Sequence, residues 1–100
     1  MTKSELVSVV AQMSGSTAAD TERVLDSFRD VVQSTVNAGG DVAYPGLGKF
    51  SRVARKARIG RNPQTGATIQ VAASNAPKFS ASSRFKMIVK GQASAPYIPS

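Results

Sequence analysis

The chain predicts an α+β fold: an N-terminal helix-turn-helix pair, a three-stranded antiparallel sheet with a long protruding β-hairpin arm, and a short C-terminal helix. Three observations carry the prediction. Apolar residues repeat at helical spacing between Leu6 and Val36. After Gly40 the period shortens to strand-like alternation. Residues 55–66, Arg-Lys-Ala-Arg-Ile-Gly-Arg-Asn-Pro-Gln-Thr-Gly, then place four cations within seven residues ahead of a turn signal.

Thr2-Lys3-Ser4-Glu5 forms a capping box, a hydroxyl at the N-cap and a carboxylate three residues on. Leu6, Val7, Val10 and Met13 continue that helix to the stop at Gly15. Thr17-Ala18-Ala19-Asp20 opens a second, longer helix, with Val24, Leu25, Phe28, Val31, Val32 and Val36 on one apolar face. Asn37-Ala38-Gly39-Gly40 ends it. Asp41–Tyr44 is a short strand and Pro45-Gly46-Leu47-Gly48 a turn. Lys49–Ile59 reads as one strand, alternating only near its start at Ser51-Arg52-Val53. Beyond Ala54 the cations fall on both parities, Arg55 on one face and Lys56 and Arg58 on the other. A strand lying on a core keeps its charges on one face, so this one is expected to leave the body as an arm spanning about 54–76. Thr68–Val71 returns, and Ala76-Pro77-Lys78-Phe79 re-enters the body. Ser80 or Ser82 caps a third helix with Phe85, Ile88 and Val89 on its apolar side, ended by Gly91. The expected organisation is one domain over 1–91 and a flexible, uncharged tail over 92–100.

Charge is divided along the chain. Three cations and six acids in residues 1–41 give −3, whereas ten cations and no acid thereafter give +10. A one-sided field of that size calls for a polyanionic partner, nucleic acid ahead of an anionic membrane surface. There is no cysteine and no histidine, which removes the thiolate nucleophile, the commonest general base and the usual zinc ligands. No cofactor is expected. No apolar run approaches the ~20 residues of a membrane span, and a cytoplasmic location is expected. If the arm projects, the remaining chain is near the size at which oligomerisation supplies stability.

Several features invite a sharper reading than they support. The first helix pair could read DNA, but Asp20, Glu22, Asp26 and Asp30 on the second helix repel phosphates, so a structural pair is the better reading. Gly46-Leu47-Gly48 lacks the third glycine and the lysine–hydroxyl pair of a phosphate loop and reads as a turn. The acids of the second helix read as a solvated face. Pro63 on position alone is a turn former. Its place at the tip of a basic arm gives it a second possibility, because a strand from Ala54 to Asn62 rises roughly 30 Å and could carry the tip around a duplex.

Gly46, Phe50, Arg55, Arg58, Gly60, Asn62, Pro63 and Thr65, extended by Arg61 and Gln64-Thr65-Gly66, stand at the spacing of a family signature. Through them, and through the order of elements from about Thr2 to Lys90, the chain resembles the bacterial HU/IHF family of histone-like DNA-bending proteins. The resemblance implies an intertwined homodimer whose two arms embrace double-stranded DNA. It implies that Pro63 intercalates, that Arg55, Arg58 and Arg61 are the arm cations, with Arg52 and Lys56 added, and that Phe50 and Phe79 are core aromatics. Asn62, Gln64 and Thr65 complete the arm tip. Leu47 replaces the family's usual phenylalanine, and Pro45 is unusual. Ser80-Ala81-Ser82-Ser83 lacks the customary lysines, so Lys78, Arg84 and Lys86 are expected to supply the body-side contacts, with Lys3 counted beside them.

The expected function is architectural: nucleoid-associated binding of duplex DNA in the minor groove, with low sequence specificity and bending. A sequence-specific IHF-type factor is the alternative, and a basic RNA-binding protein a further one. No catalytic constellation, small-molecule substrate or membrane partner is indicated.

Overall fold

A computed structural model describes residues 1–99. Helix α1 spans Lys3–Ser14 and α2 spans Ala18–Asn37. Both N-caps form as the sequence implies: the Thr2 hydroxyl accepts from the Glu5 N–H at 3.3 Å and the Thr17 hydroxyl accepts from the Asp20 N–H at 3.1 Å. Strands β1 (Val42–Tyr44) and β2 (Gly48–Arg55) follow, then β3 (Arg58–Arg61), β4 (Thr68–Val71), β5 (Ser74–Ala81) and helix α3 (Ser83–Val89). Ser82, not Ser80, caps α3, its hydroxyl accepting from the Phe85 N–H at 3.1 Å. Residues 92–99 form no regular element and run back to α1, where Ile98 and Pro99 line a shallow groove with Met1, Ser8 and Val9.

The body sheet is antiparallel in the order β1-β2-β5, with Val42 opposite Phe50 and Phe50 opposite Phe79. Gly48 sits where the three strands converge. A Cβ there would lie 2.5 Å from the Ser80 carbonyl oxygen and 2.6 Å from the Phe79 ring, so no larger residue fits. The expected single strand Lys49–Ile59 is in fact two. Pairing stops after Arg55↔Ser74 and resumes at Arg58↔Val71, so the arm is a separate two-stranded sheet, β3–β4. Register is unchanged across the gap. The unpaired residues are Lys56, Ala57, Ala72 and Ala73. Alanine is a poor strand former and offers no cross-strand side-chain pair, so nothing there holds the ladder closed.

Helix α2 lies on the sheet through Phe28, whose ring meets Tyr44 and Phe50 edge-on at 6.3 and 6.4 Å, while Phe50 and Phe79 are 4.9 Å apart. The expected continuous apolar face of α2 divides in two. Leu25, Val32 and Val36 are half-buried, whereas Val24 and Val31, turned about 100° around the helix, are 64% and 58% exposed. Val89, expected on the apolar side of α3, is 73% exposed although it stands one turn after Phe85 on the same helix face. Among the described residues only Val7 and Ala11 are buried apolar side chains, and neither is completely enclosed. The radius of gyration is 18.8 Å, against about 13 Å for a compact chain of this length.

Candidate nucleic-acid interface

Pairing register sorts the sheet's side chains by face, since directly opposed residues point the same way. Phe50, Arg52, Phe79 and Pro77 face α2. The opposite face carries Lys49, Ser51, Val53 and Arg55 from β2, with Ser80, Lys78, Ala76 and Ser74 from β5. Three cations there, Lys49, Arg55 and Lys78, stand among small or short side chains, leaving an open basic surface at the root of the arm. Lys49 belongs to this set, although it is absent from the residues expected to bind DNA. Its parity with Ser51, Val53 and Arg55 was the available signal. Its ammonium also lies 3.8 Å from Asp41, a loose, exposed pair.

The arm continues from this surface. Arg58, Gly60, Ile69 and Val71 share one face, and Ile59, Arg61, Thr68 and Gln70 the other. Arg58 and Arg61 therefore point to opposite sides, and Lys56 lies in the unpaired gap. At the tip the Asn62 side-chain oxygen accepts from the Gln64 N–H at 2.9 Å, and the Thr65 hydroxyl accepts from the Ala67 N–H at 3.2 Å. The Gly66 N–H donates to the Asn62 carbonyl at 2.7 Å and the Asn62 N–H to the Ala67 carbonyl at 2.8 Å. Asn62 and Thr65 thus build the loop from inside, an Asx turn and its hydroxyl counterpart. Pro63 and Gln64 are left exposed at the apex.

Arg84 and Lys86 are exposed on α3, whose start is fixed to the β1–β2 turn by the Ser82 N–H donating to the Leu47 carbonyl at 3.0 Å. Two residues of the expected set stand apart. The Lys3 ammonium lies 3.0 Å from Asp26 and 3.3 Å from Glu22 of α2. Hydrogen bonding to Asp26, then Glu22, holds its pKa above the ordinary lysine value. Arg52 faces α2, where its Nη1 donates to the Asn37 carbonyl at 3.1 Å. By contrast, Arg55, Lys56, Arg58, Arg61, Lys78, Arg84 and Lys86 have no acidic partner within ion-pair distance among the described residues. No group of acidic side chains there could hold a metal ion, and no helix is long and apolar enough to cross a membrane.

A helical body carrying a basic sheet face and a two-stranded basic arm with an exposed proline at its tip defines a DNA-binding class of α+β protein. The chain belongs to the HU family: residues 1–90 match the family model described as "Bacterial DNA-binding protein". It is 46% identical over 86 residues to DNA-binding protein HRL18 of Rhizobium leguminosarum, covering 86% of this chain and 94% of the relative. It is 42% identical over 89 residues to DNA-binding protein HU-beta of Pseudomonas fluorescens, covering 89% and 99%. Among solved structures it is similar to Anabaena HU in a DNA cocrystal, with a TM-score of 0.83 and 36% identity over 89% of this chain and 97% of that one.

Proposed function

We propose that the chain is a homodimeric architectural protein, not an enzyme, that binds duplex DNA through the minor groove with little sequence preference and bends it in the nucleoid. The observation that carries this is the line of acid-free cations running from the sheet face, through Arg55 and Lys78, along the arm to Arg61 and the exposed tip of Pro63. Such cations supply affinity by displacing counterions from phosphates, a contribution blind to sequence. Pro63 is the wedge: architectural proteins of the HU and IHF type insert apolar side chains between base steps from the minor groove. Any sequence preference then comes from how readily a site deforms. The similarity to HU bound to DNA supports this reading.

The homodimer follows from the same surface inventory. Val24 and Val31 are open on α2, and Val32, Val36, Phe50 and Phe79 line a groove of about 530 Å³. A second copy of this chain is the occupant that removes such a surface from water in a symmetric way. We assign DNA binding to residues 1–91. Lys49 joins Arg55, Lys56, Arg58, Arg61, Asn62, Pro63, Gln64, Thr65, Lys78, Arg84 and Lys86 in the interface, whereas Lys3 is already neutralised by α2.

The test is binding to intact, nicked and gapped duplexes over a salt series. Affinity for intact duplex is expected to fall by about 10³-fold or more between about 50 and 200 mM salt, and gapped duplex is expected to bind more tightly than intact. A flat salt dependence, or equal affinity for rigid and flexible duplexes, contradicts the reading. Pro63→Ala should reduce the bend angle, read by energy transfer between duplex ends, more than it reduces affinity; an unchanged angle removes the wedge.

A further inference from the structure

We propose that Arg52 is a positioning residue and not a phosphate ligand: it ties the root of the arm to the C-terminus of α2. The consequence for DNA rests on the function proposed above, but the tie itself does not. Register places Arg52 on the α2 side of β2, opposite Pro77, and so on the reverse of the face that carries Lys49, Arg55 and Lys78. Its Nη1 donates to the Asn37 carbonyl, the last residue of α2, at 3.1 Å.

The helix end needs this donor. The last carbonyls of a helix lack intrahelical partners and carry the negative end of the helix dipole. Helix α2 has no basic residue in its last turn. Arg52 brings the cation from another element, and its planar fork can serve a carbonyl while its remaining N–H groups stay hydrated. The loop beyond the helix makes room for it. A Cβ at Gly39 would lie 3.0 Å from Nη2 and 3.5 Å from Cζ of Arg52, and Gly39 has φ +91°, a conformation that other residues rarely adopt.

The position of the tie gives it a role in DNA binding. Arg52 lies three residues before Arg55, where the body sheet ends and the arm departs. Fixing β2 to the end of the longest helix fixes the direction of the strand from which the arm departs. An arm held in its bound direction loses less freedom on closing around DNA. Its loss should therefore weaken binding and bending without changing how many phosphates are neutralised.

The experiment compares Arg52→Ala, Arg52→Lys and Arg55→Ala in the full-length protein, by the slope of log affinity against log salt and by amide hydrogen exchange without DNA. Each phosphate contact contributes about −0.9 to that slope. Arg55→Ala is expected to make the slope shallower. Arg52→Ala is expected to keep the wild-type slope, weaken affinity several-fold, reduce the bend, and speed exchange of the Gly39 and Gly40 amides. Those amides are bonded to the Val36 and Thr35 carbonyls at 3.0 and 2.9 Å. Arg52→Lys, which keeps the charge, should restore part of the protection and holds the comparison open if the alanine variant does not fold. A shallower slope for Arg52→Ala, or unchanged exchange at Gly39 and Gly40, overturns the proposal. An unchanged slope for Arg55→Ala instead counts against the DNA interface, while the exchange data still decide the tie.

Discussion

The most exposed decisions in this chain are made by single side chains whose residue type does not reveal their use. Lys3, Arg52 and Arg55 are all cations in a basic protein, yet one is held by two carboxylates, one serves a helix end and one stands free on an open face. Lys3 sets a pH expectation. Its folded pKa lies above the ordinary value of 10.5, so the stability from its pairing is present below that value and is lost as pH rises through the raised one. Thermal unfolding of Lys3→Met and the parent protein should therefore converge in strong alkali and differ near neutrality. A second residue-scale case is Thr21, which is 4% exposed with a hydroxyl that has no partner among the described residues. A buried hydroxyl without a partner forfeits its hydration. Thr21→Val is expected to stabilise the protein by about 1 kcal/mol in urea titration. A destabilised variant would mean that the hydroxyl is satisfied in solution.

At the scale of elements, local chemistry was a good guide wherever the structure depends on local chemistry. Both N-caps, the short loop between α1 and α2, the turn before Leu47 and the Asn62–Gly66 tip are specified by residues a few positions apart, and all of them form. The strand from Lys49 reads as continuous in sequence because nothing in its own residues announces a break. The break depends on the opposing strand, since Ala72 and Ala73 leave Lys56 and Ala57 without a side-chain partner. The gap interrupts the ladder without changing its register. Ala57→Val combined with Ala72→Val places a β-branched pair across it and is expected to close the ladder. The amides of residues 56–57 and 72–73 should then gain exchange protection. Cross-strand pairs of this kind are worth about 0.2–1 kcal/mol, so the effect should appear as slower exchange rather than as a large shift in melting.

The whole molecule is shaped by two imbalances. Charge is divided into an acidic helical part and a basic sheet, arm and third helix, which gives the basic part its affinity for a polyanion. Apolar surface is also out of balance, with Leu6, Met13, Val24, Val31 and Phe79 more than a third exposed and very little fully enclosed. A chain that buries so little cannot be stable alone, so folding and association of the proposed homodimer should be one event. The melting temperature is accordingly expected to rise with protein concentration, and a concentration-independent transition would argue for a self-sufficient protomer.

The sequence by itself determined the elements, their order, the basic arm, the tip proline and the family, because caps, turns, periodicity and spaced motif residues act over short stretches of chain. Only the tertiary structure decided which way each cation faces, where the arm's ladder opens and which apolar stripe of α2 stays uncovered. Those outcomes are set by cross-strand register and by helix packing on the sheet, which join residues such as Asn37 and Arg52, or Ala57 and Ala72, that no local pattern connects.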